Sequence, residues 1–277
     1  MGGQRSIEIP ATVAGVPASN RQDEINRAVY YSPRVYRSYL ADCLTAAESI
    51  CLSKYQTYIQ NKDVLDIGVG AGRTARYLAP LARRYEAVDY SPVMVAYVKK
   101  MMPSISVRQA DFRDLTAFAG QSFDFILATD NVIDALPHEG RLRALDEAYR
   151  VLRPGGILVF SCHNIRYRKA FSGPQLRWSS NPLRFTLNCA SYVLSLWNHL
   201  RVAPLRTRTS DYALLNDPGH HYACLHYYAA RSTVRSQLAS TGLRYVEAFD
   251  RRGQLLVESA DDGDTSSILY LAQRPLI

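Results

Sequence analysis

A short apolar run, Val64-Leu65-Asp66-Ile67, passes directly into Gly68-Val69-Gly70-Ala71-Gly72, and a helical pattern begins at Arg73. This strand, glycine turn and helix constrain the chain more than any other feature. Glycines permit a tight turn and let backbone amides approach a ligand with no Cβ in the way. The helix start adds a field that favours negative charge. A second strand over 85–88 ends in Asp89, where a carboxylate can accept hydrogen bonds from two ribose hydroxyls. The plain alternative, an N-cap for the next helix, is weakened because Ser91-Pro92 already supplies a cap and a first-turn proline.

The periodicity repeats this alternation. Strands are expected over 64–67, 85–88, 104–109, 123–128 and 157–161, with helices over 73–81, 91–101 and 139–152 between them. Arg153-Pro154-Gly155-Gly156 reads as a helix stop. A helix over 229–241 with Gly242 at its C′ position leads to strands over 244–250 and 267–273. Strands alternating with helices mean βαβ units and a mainly parallel sheet covered on both faces. Before this core, 21–58 reads as a helical cap divided at Pro33, and 1–20 as a flexible leader. The core is expected over 59–162 and its completion over 229–277. Between them, 163–228 loses the alternation and reads as an insertion with one helical stretch near 185–200.

The charge is uneven. The 277 residues carry a formal +8, from 33 basic and 25 acidic side chains. Eight basic residues lie between His163 and Ser210, where no Asp or Glu occurs, so the rest of the chain is neutral. An anionic substrate, a nucleic acid, an acidic membrane surface and a merely solvated basic face all remain open. Five widely spaced cysteines without a CxxC pair argue against a zinc ribbon or a disulfide framework and suit a reducing, cytoplasmic setting; no metal site is expected. No apolar run reaches the roughly 18 residues that a membrane span needs.

These segments together resemble the class I S-adenosylmethionine-dependent methyltransferases. The resemblance covers 60–162 and rests on Asp66 before Gly68, Gly70 and Gly72; on Asp89; on Ala110-Asp111-Phe112; and on the run EAYRVLRPGG from Glu147 to Gly156. A nicotinamide-binding site wants GxGxxG, whereas the spacing here is GxGxG. The resemblance implies a Rossmann-like α/β fold: a seven-stranded, mostly parallel sheet whose last strand is antiparallel, with helices on both faces. It implies S-adenosyl-L-methionine as cofactor. Asp66 would meet the methionine ammonium, Asp89 the ribose, Asp111 and Phe112 the adenine, Tyr90 the cofactor, and Asp130 and Asn131 the cofactor or the substrate. An N-terminal lid would bring Tyr30, Tyr31 and Tyr36 to the methionine end, with Tyr30 toward substrate; core packing is the alternative for each.

The acceptor is less constrained. Thr129-Asp130-Asn131 lacks the Pro-Pro-aromatic continuation seen in methyltransferases of base amino groups, so DNA is not an expected partner. A general base helps when the acceptor is a hydroxyl. His163 follows strand five, and His221 and His226 lie in the aromatic segment GHHYACLHYY; any of the three could be that base or a structural residue. Arg166 and Arg168 are expected to hold an anionic group of a small-molecule acceptor, methylated at oxygen or nitrogen. RNA or protein methylation, and a non-catalytic cofactor- or RNA-binding protein on this fold, are the alternatives. A homodimer is left open.

Overall fold

The computed structural model describes residues 18–32 and 43–276. Pro33 and Tyr36 lie outside them, as does all of the expected leader up to 17. Helix α1 (Ala18–Tyr30) begins inside the expected leader, and α2 (Ala46–Lys54) follows. Thr45 caps α2 in a capping box: its hydroxyl accepts the Glu48 N–H, and the Glu48 carboxylate accepts the Thr45 N–H.

The core alternates β1 (Asp63–Ile67), α3 (Ala75–Leu78), β2 (Arg84–Asp89), α4 (Pro92–Met101), β3 (Ser106–Gln109), β4 (Phe123–Ala128), α5 (His138–Val151) and β5 (Leu152–Asn164). Strands run parallel in the order β3-β2-β1-β4-β5. Alternate residues feed two cores, as a sheet buried on both faces requires. Leu65, Ile126, Leu158 and Phe160 pack with Ala144 and Leu145 of α5. Val64, Phe125, Ile157 and Val159 pack with Cys51 and Leu52 of α2.

The seven expected strands are all present, and among the described residues three more, beyond β5, bring the sheet to ten. Helix α6 (Pro182–Val202) is followed by β6 (Thr207–Arg208), β7 (Tyr212–Leu215), β8 (His226–Ala229), α7 (Arg231–Ser240), β9 (Arg244–Phe249) and β10 (Ser267–Gln273). Strand β10 lies antiparallel to both β5 and β9, which gives the expected reversed last strand. Strand β5 is thirteen residues long. It outruns β4, and its tip, His163 and Asn164, pairs in parallel with Tyr228 and Ala229 of β8. The segment read as an insertion thus adds a small antiparallel sheet to the core rather than standing apart. The expected stop at 153–156 belongs to β5: Gly155, at φ +81°, donates its N–H to Arg274 O at 2.9 Å.

Candidate active site

Two adjacent hollows with shared lining residues lie over the carboxyl ends of the parallel strands, where open α/β sheets bind ligands. The first is a crevice of about 120 Å³ beside the glycine turn. Gly68 sits at φ +72°, and a Cβ there would fall 2.3 Å from Val132 Cγ2. The Asp89 carboxylate accepts the Gly70 N–H at 2.9 Å and the Ser91 N–H at 2.8 Å, which ties the turn to the start of α4. Each oxygen keeps capacity for a further hydrogen bond. Burial raises this carboxyl to about 6, against the two N–H donors.

Tyr90, Asp111 and Phe112 line the far end of the crevice with Asp89. Arg113 grips the Asp111 carboxylate through Nε and Nη2 and also pairs with Asp23 of α1. Asp130 and Asn131 close the near end, both in the left-handed region at φ 59°. Non-glycine residues held there are a strained feature that concentrates at functional sites.

Three expected crevice residues are elsewhere. Asp66 lies beneath the glycine turn, where its Oδ2 accepts from Thr74 Oγ1 and Tyr85 OH, each at 2.6 Å. Burial raises it to about 6, opposed by those two donors. It braces the turn and does not line the crevice. Gly72 faces α4, and a Cβ would meet Met102 Sδ at 2.6 Å, so its role is close packing. Tyr31 packs against Tyr90 with ring centroids 5.7 Å apart and stays outside the lining.

The second hollow is a cavity of about 830 Å³. Tyr30, Thr129, Asp130 and Asn131 line both spaces and mark their junction. Just past it stand His163, Asp217 and His226. His163 Nδ1 faces Asp134 Oδ2 at 2.8 Å, and its Nε2 is 3.3 Å from Asp217 Oδ2 and from Asn131 Nδ2. His226 Nδ1 faces Asp217 Oδ2 at 2.8 Å, and its Nε2 meets Tyr30 OH at 3.0 Å. Burial opposes charge on Asp217, yet His226, His163 and the Gly219 N–H hold its carboxyl well below the usual range. Burial likewise opposes charge on His226, and Asp217 overrides it and raises that imidazole.

His221 lines the cavity away from this cluster, its Nδ1 3.3 Å from Ser191 and Ser195 of α6. Arg166 and Arg168 do not line it. Arg166 is exposed, and Arg168 pairs at the surface with Asp261 and Asp264. The cations on the wall are Lys169, Arg177 and Arg251.

Residues 64–156 match the family model described as a methyltransferase domain. The core is a class I S-adenosylmethionine-dependent methyltransferase domain. The chain is 31% identical over 157 residues to the fatty-acid O-methyltransferase of Mycolicibacterium smegmatis, covering 55% of this chain and 49% of that protein. It is 34% identical over 100 residues to the malonyl-(acyl-carrier protein) O-methyltransferase of Pectobacterium atrosepticum, covering 35% and 37%. The chain thus spans less than half the length of the curated relatives it matches. Among solved structures, the Burkholderia thailandensis 1,6-didemethyltoxoflavin-N1-methyltransferase superposes with a TM-score of 0.59 at 13% identity, over 95% of this chain and 93% of that one. At that identity the likeness speaks for the fold.

Several residues of the methyltransferase domain's surroundings escaped the sequence reading. Asp134 and Arg141 orient His163 from beneath, and Asp217 joins two histidines from within an Asn-Asp-Pro-Gly turn. Such a turn reads locally as an Asx turn, which Asp217 does form through Oδ1 and the Gly219 N–H. Arg73, where the expected helix begins, lines the crevice and pairs with Glu48 of α2, which lines the larger cavity.

Proposed function

We propose that this chain transfers the methyl group of S-adenosyl-L-methionine to a small molecule held in the larger cavity. The adenosyl part lies in the crevice, its ribose on Asp89 and its adenine beside Asp111 and Phe112. The methionine end points toward Asp130 and Asn131. The observation that carries this reading is the junction: Tyr30, Asp130 and Asn131 line both spaces, so a sulfonium placed between them directs its methyl into the cavity.

Transfer from a sulfonium needs alignment more than covalent help, and positioning supplies several kcal/mol of the barrier. The acceptor atom attacks the methyl carbon as the carbon–sulfur bond breaks, leaving S-adenosylhomocysteine. The His163–Asp217–His226 cluster lies where the acceptor would lose its proton. Such a cluster matters for a hydroxyl, whose pKa is high, more than for a neutral amine. We therefore favour an oxygen acceptor. Lys169, Arg177 and Arg251 on the wall support an acceptor that carries an acidic group.

A crystal structure with S-adenosylhomocysteine tests the arrangement. The sulfur is expected between Gly68 and Asn131 with its free side toward His163. Nucleoside found outside the crevice, or sulfur turned away from the cavity, would overturn it.

A further inference from the structure

We propose that His163, Asp217 and His226 form a binding site for a divalent transition-metal ion in the wall of the acceptor cavity. The proposal rests on the reading of that cavity as the acceptor site and adds a ligand to it. One donor atom from each residue lies within 4.8 Å of the other two. Asp217 Oδ2 stands 2.8 Å from His226 Nδ1 and 3.3 Å from His163 Nε2. A tetrahedral ion with bonds of about 2.0–2.2 Å sets neighbouring donors roughly 3.3–3.6 Å apart, which the His163–Asp217 pair meets and to which the closer His226–Asp217 pair would open by about half an ångström.

The outer partners agree. With Nδ1–H of His163 donated to Asp134, Nε2 turns a lone pair toward a carboxylate oxygen. The Asn131 amide can donate to that lone pair at 3.3 Å, and a proton or a cation between Nε2 and Oδ2 would relieve the remaining repulsion of the two facing lone pairs. His226 can likewise donate Nε2–H to Tyr30 and free Nδ1 for the same point. Metal-bound imidazoles usually have the second nitrogen fixed by a carboxylate, carbonyl or similar partner. Asp217 is itself held by Tyr228 OH at 3.0 Å and the Gly219 N–H at 2.9 Å. Two imidazoles and one carboxylate select zinc, iron(II), cobalt or nickel over magnesium and calcium.

Three protein donors leave positions open toward the cavity. An acceptor hydroxyl bound there is acidified and releases its proton to solvent. Its oxygen then bonds to the methyl carbon, and the electron pair of the broken carbon–sulfur bond stays on sulfur.

Cobalt(II) titrated into chelator-treated protein tests the site. Expected are one equivalent per chain, visible d–d absorption, and affinity weakened more than about 100-fold in His163→Gln and in His226→Gln, whose folding is checked by circular dichroism. No saturable cobalt absorption in the wild type, or unchanged affinity in His226→Gln, would overturn the proposal and favour a proton shared by His163 and Asp217. Calorimetry with S-adenosylmethionine on the same metal-free sample separates the two readings: cofactor binding without metal binding defeats only the metal site.

Helix α6 is built inside out. Asn188, Ser191 and Ser195 face the cavity and Asn198 is buried, whereas Leu183, Leu187, Trp197 and Leu200 are each more than 60% exposed. We infer that this apolar face docks on an anionic lipid surface. Trp178 is also exposed, and Arg184 and Arg201 flank the face in a stretch, 163–210, that contains no acid. A helix with leucine and tryptophan on one side and arginine at its borders is suited to the membrane interface. Among the described residues no helix is long and apolar enough to cross a membrane.

Flotation with vesicles of phosphatidylcholine alone, and with 30% phosphatidylglycerol as a chosen composition of about that fraction, tests the surface. Binding is expected only to the anionic vesicles, weakened by salt and abolished by Leu187→Glu with Trp197→Glu. Failure to float, retention of binding by the double variant, or a stable dimer that shields Trp197 would overturn it.

Discussion

Arg141 Nη1 lies 2.6 Å from Asp134 Oδ1, and neither side chain has any exposed surface. The other Asp134 oxygen accepts the His163 backbone N–H at 2.6 Å and faces its Nδ1 at 2.8 Å. Arg141 also donates to Gln237 Oε1 at 2.9 Å and sits 4.8 Å from the Tyr227 ring centre. The pair fixes the orientation of a cavity imidazole from inside the core. Removing one partner leaves a buried charge alone, so Arg141→Met should cost about 3–5 kcal/mol in urea unfolding. Adding Asp134→Leu should recover part of that loss. A cost below about 1 kcal/mol for the single variant would mean that the pair does not act as described.

His163 stands next to the junction but outside the crevice lining. With an acceptor in hand, His163→Ala should lower kcat by roughly 10²–10⁴-fold, whether the imidazole acts on the proton directly or through an ion. S-adenosylmethionine affinity should stay within about threefold, because the change lies outside the cofactor's contacts. Loss of both would assign His163 a structural role.

Buried Asp89 titrates near 6. Its charged form accepts the ribose hydroxyls, so cofactor affinity should fall as pH drops through 6. Stability of the cofactor-free protein takes the opposite sign. A raised carboxyl keeps its proton in the folded state after the unfolded chain has lost it, so its contribution is full below about 4 and is lost as pH rises through 6. Asp66, also raised to about 6 by burial, adds the same trend. Calorimetry from pH 5 to 8 should show the affinity step in the wild type and a flattened step in Asp89→Asn. A flat wild-type profile would remove Asp89 from the cofactor's partners.

Gly68→Ala forces a left-handed backbone on a residue with a side chain, 2.3 Å from Val132. Strain and overpacking together should cost about 1–3 kcal/mol in stability and displace the turn. Cofactor affinity should fall with it. Gly72→Ala, which crowds Met102 instead, should lose stability with a smaller change in affinity. Equal effects of the two on affinity would contradict this division.

What the sequence made legible was local. Glycines after β1, the acid ending β2 and the Ala110-Asp111-Phe112 turn each announce themselves within a few residues of a strand end. The motif does not say which way a strand-end side chain turns, and Asp66 turns to Thr74, at the approach to α3, and to Tyr85 of β2. The cavity cluster was visible only as separate histidines. Its carboxylates, Asp134 and Asp217, reach His163 from 29 and 54 positions away, and the β5–β8 pairing that joins them leaves no local pattern. Strands β6, β7 and β8 are two to four residues long and sit among prolines, glycines and positive-φ residues, so period-two alternation has no room to show. The helix near 185–200 was readable, but not that its polar side faces inward.

The central claim is that the crevice beside Gly68 holds S-adenosylmethionine with its ribose on Asp89. Isothermal titration calorimetry of the wild type and Asp89→Ala tests it most directly. One site of micromolar order is expected for the wild type, weakened by about 2–4 kcal/mol, roughly 30- to 1000-fold, when the charged acceptor is removed. No heat with S-adenosylmethionine, or the same affinity in both proteins, would contradict the account.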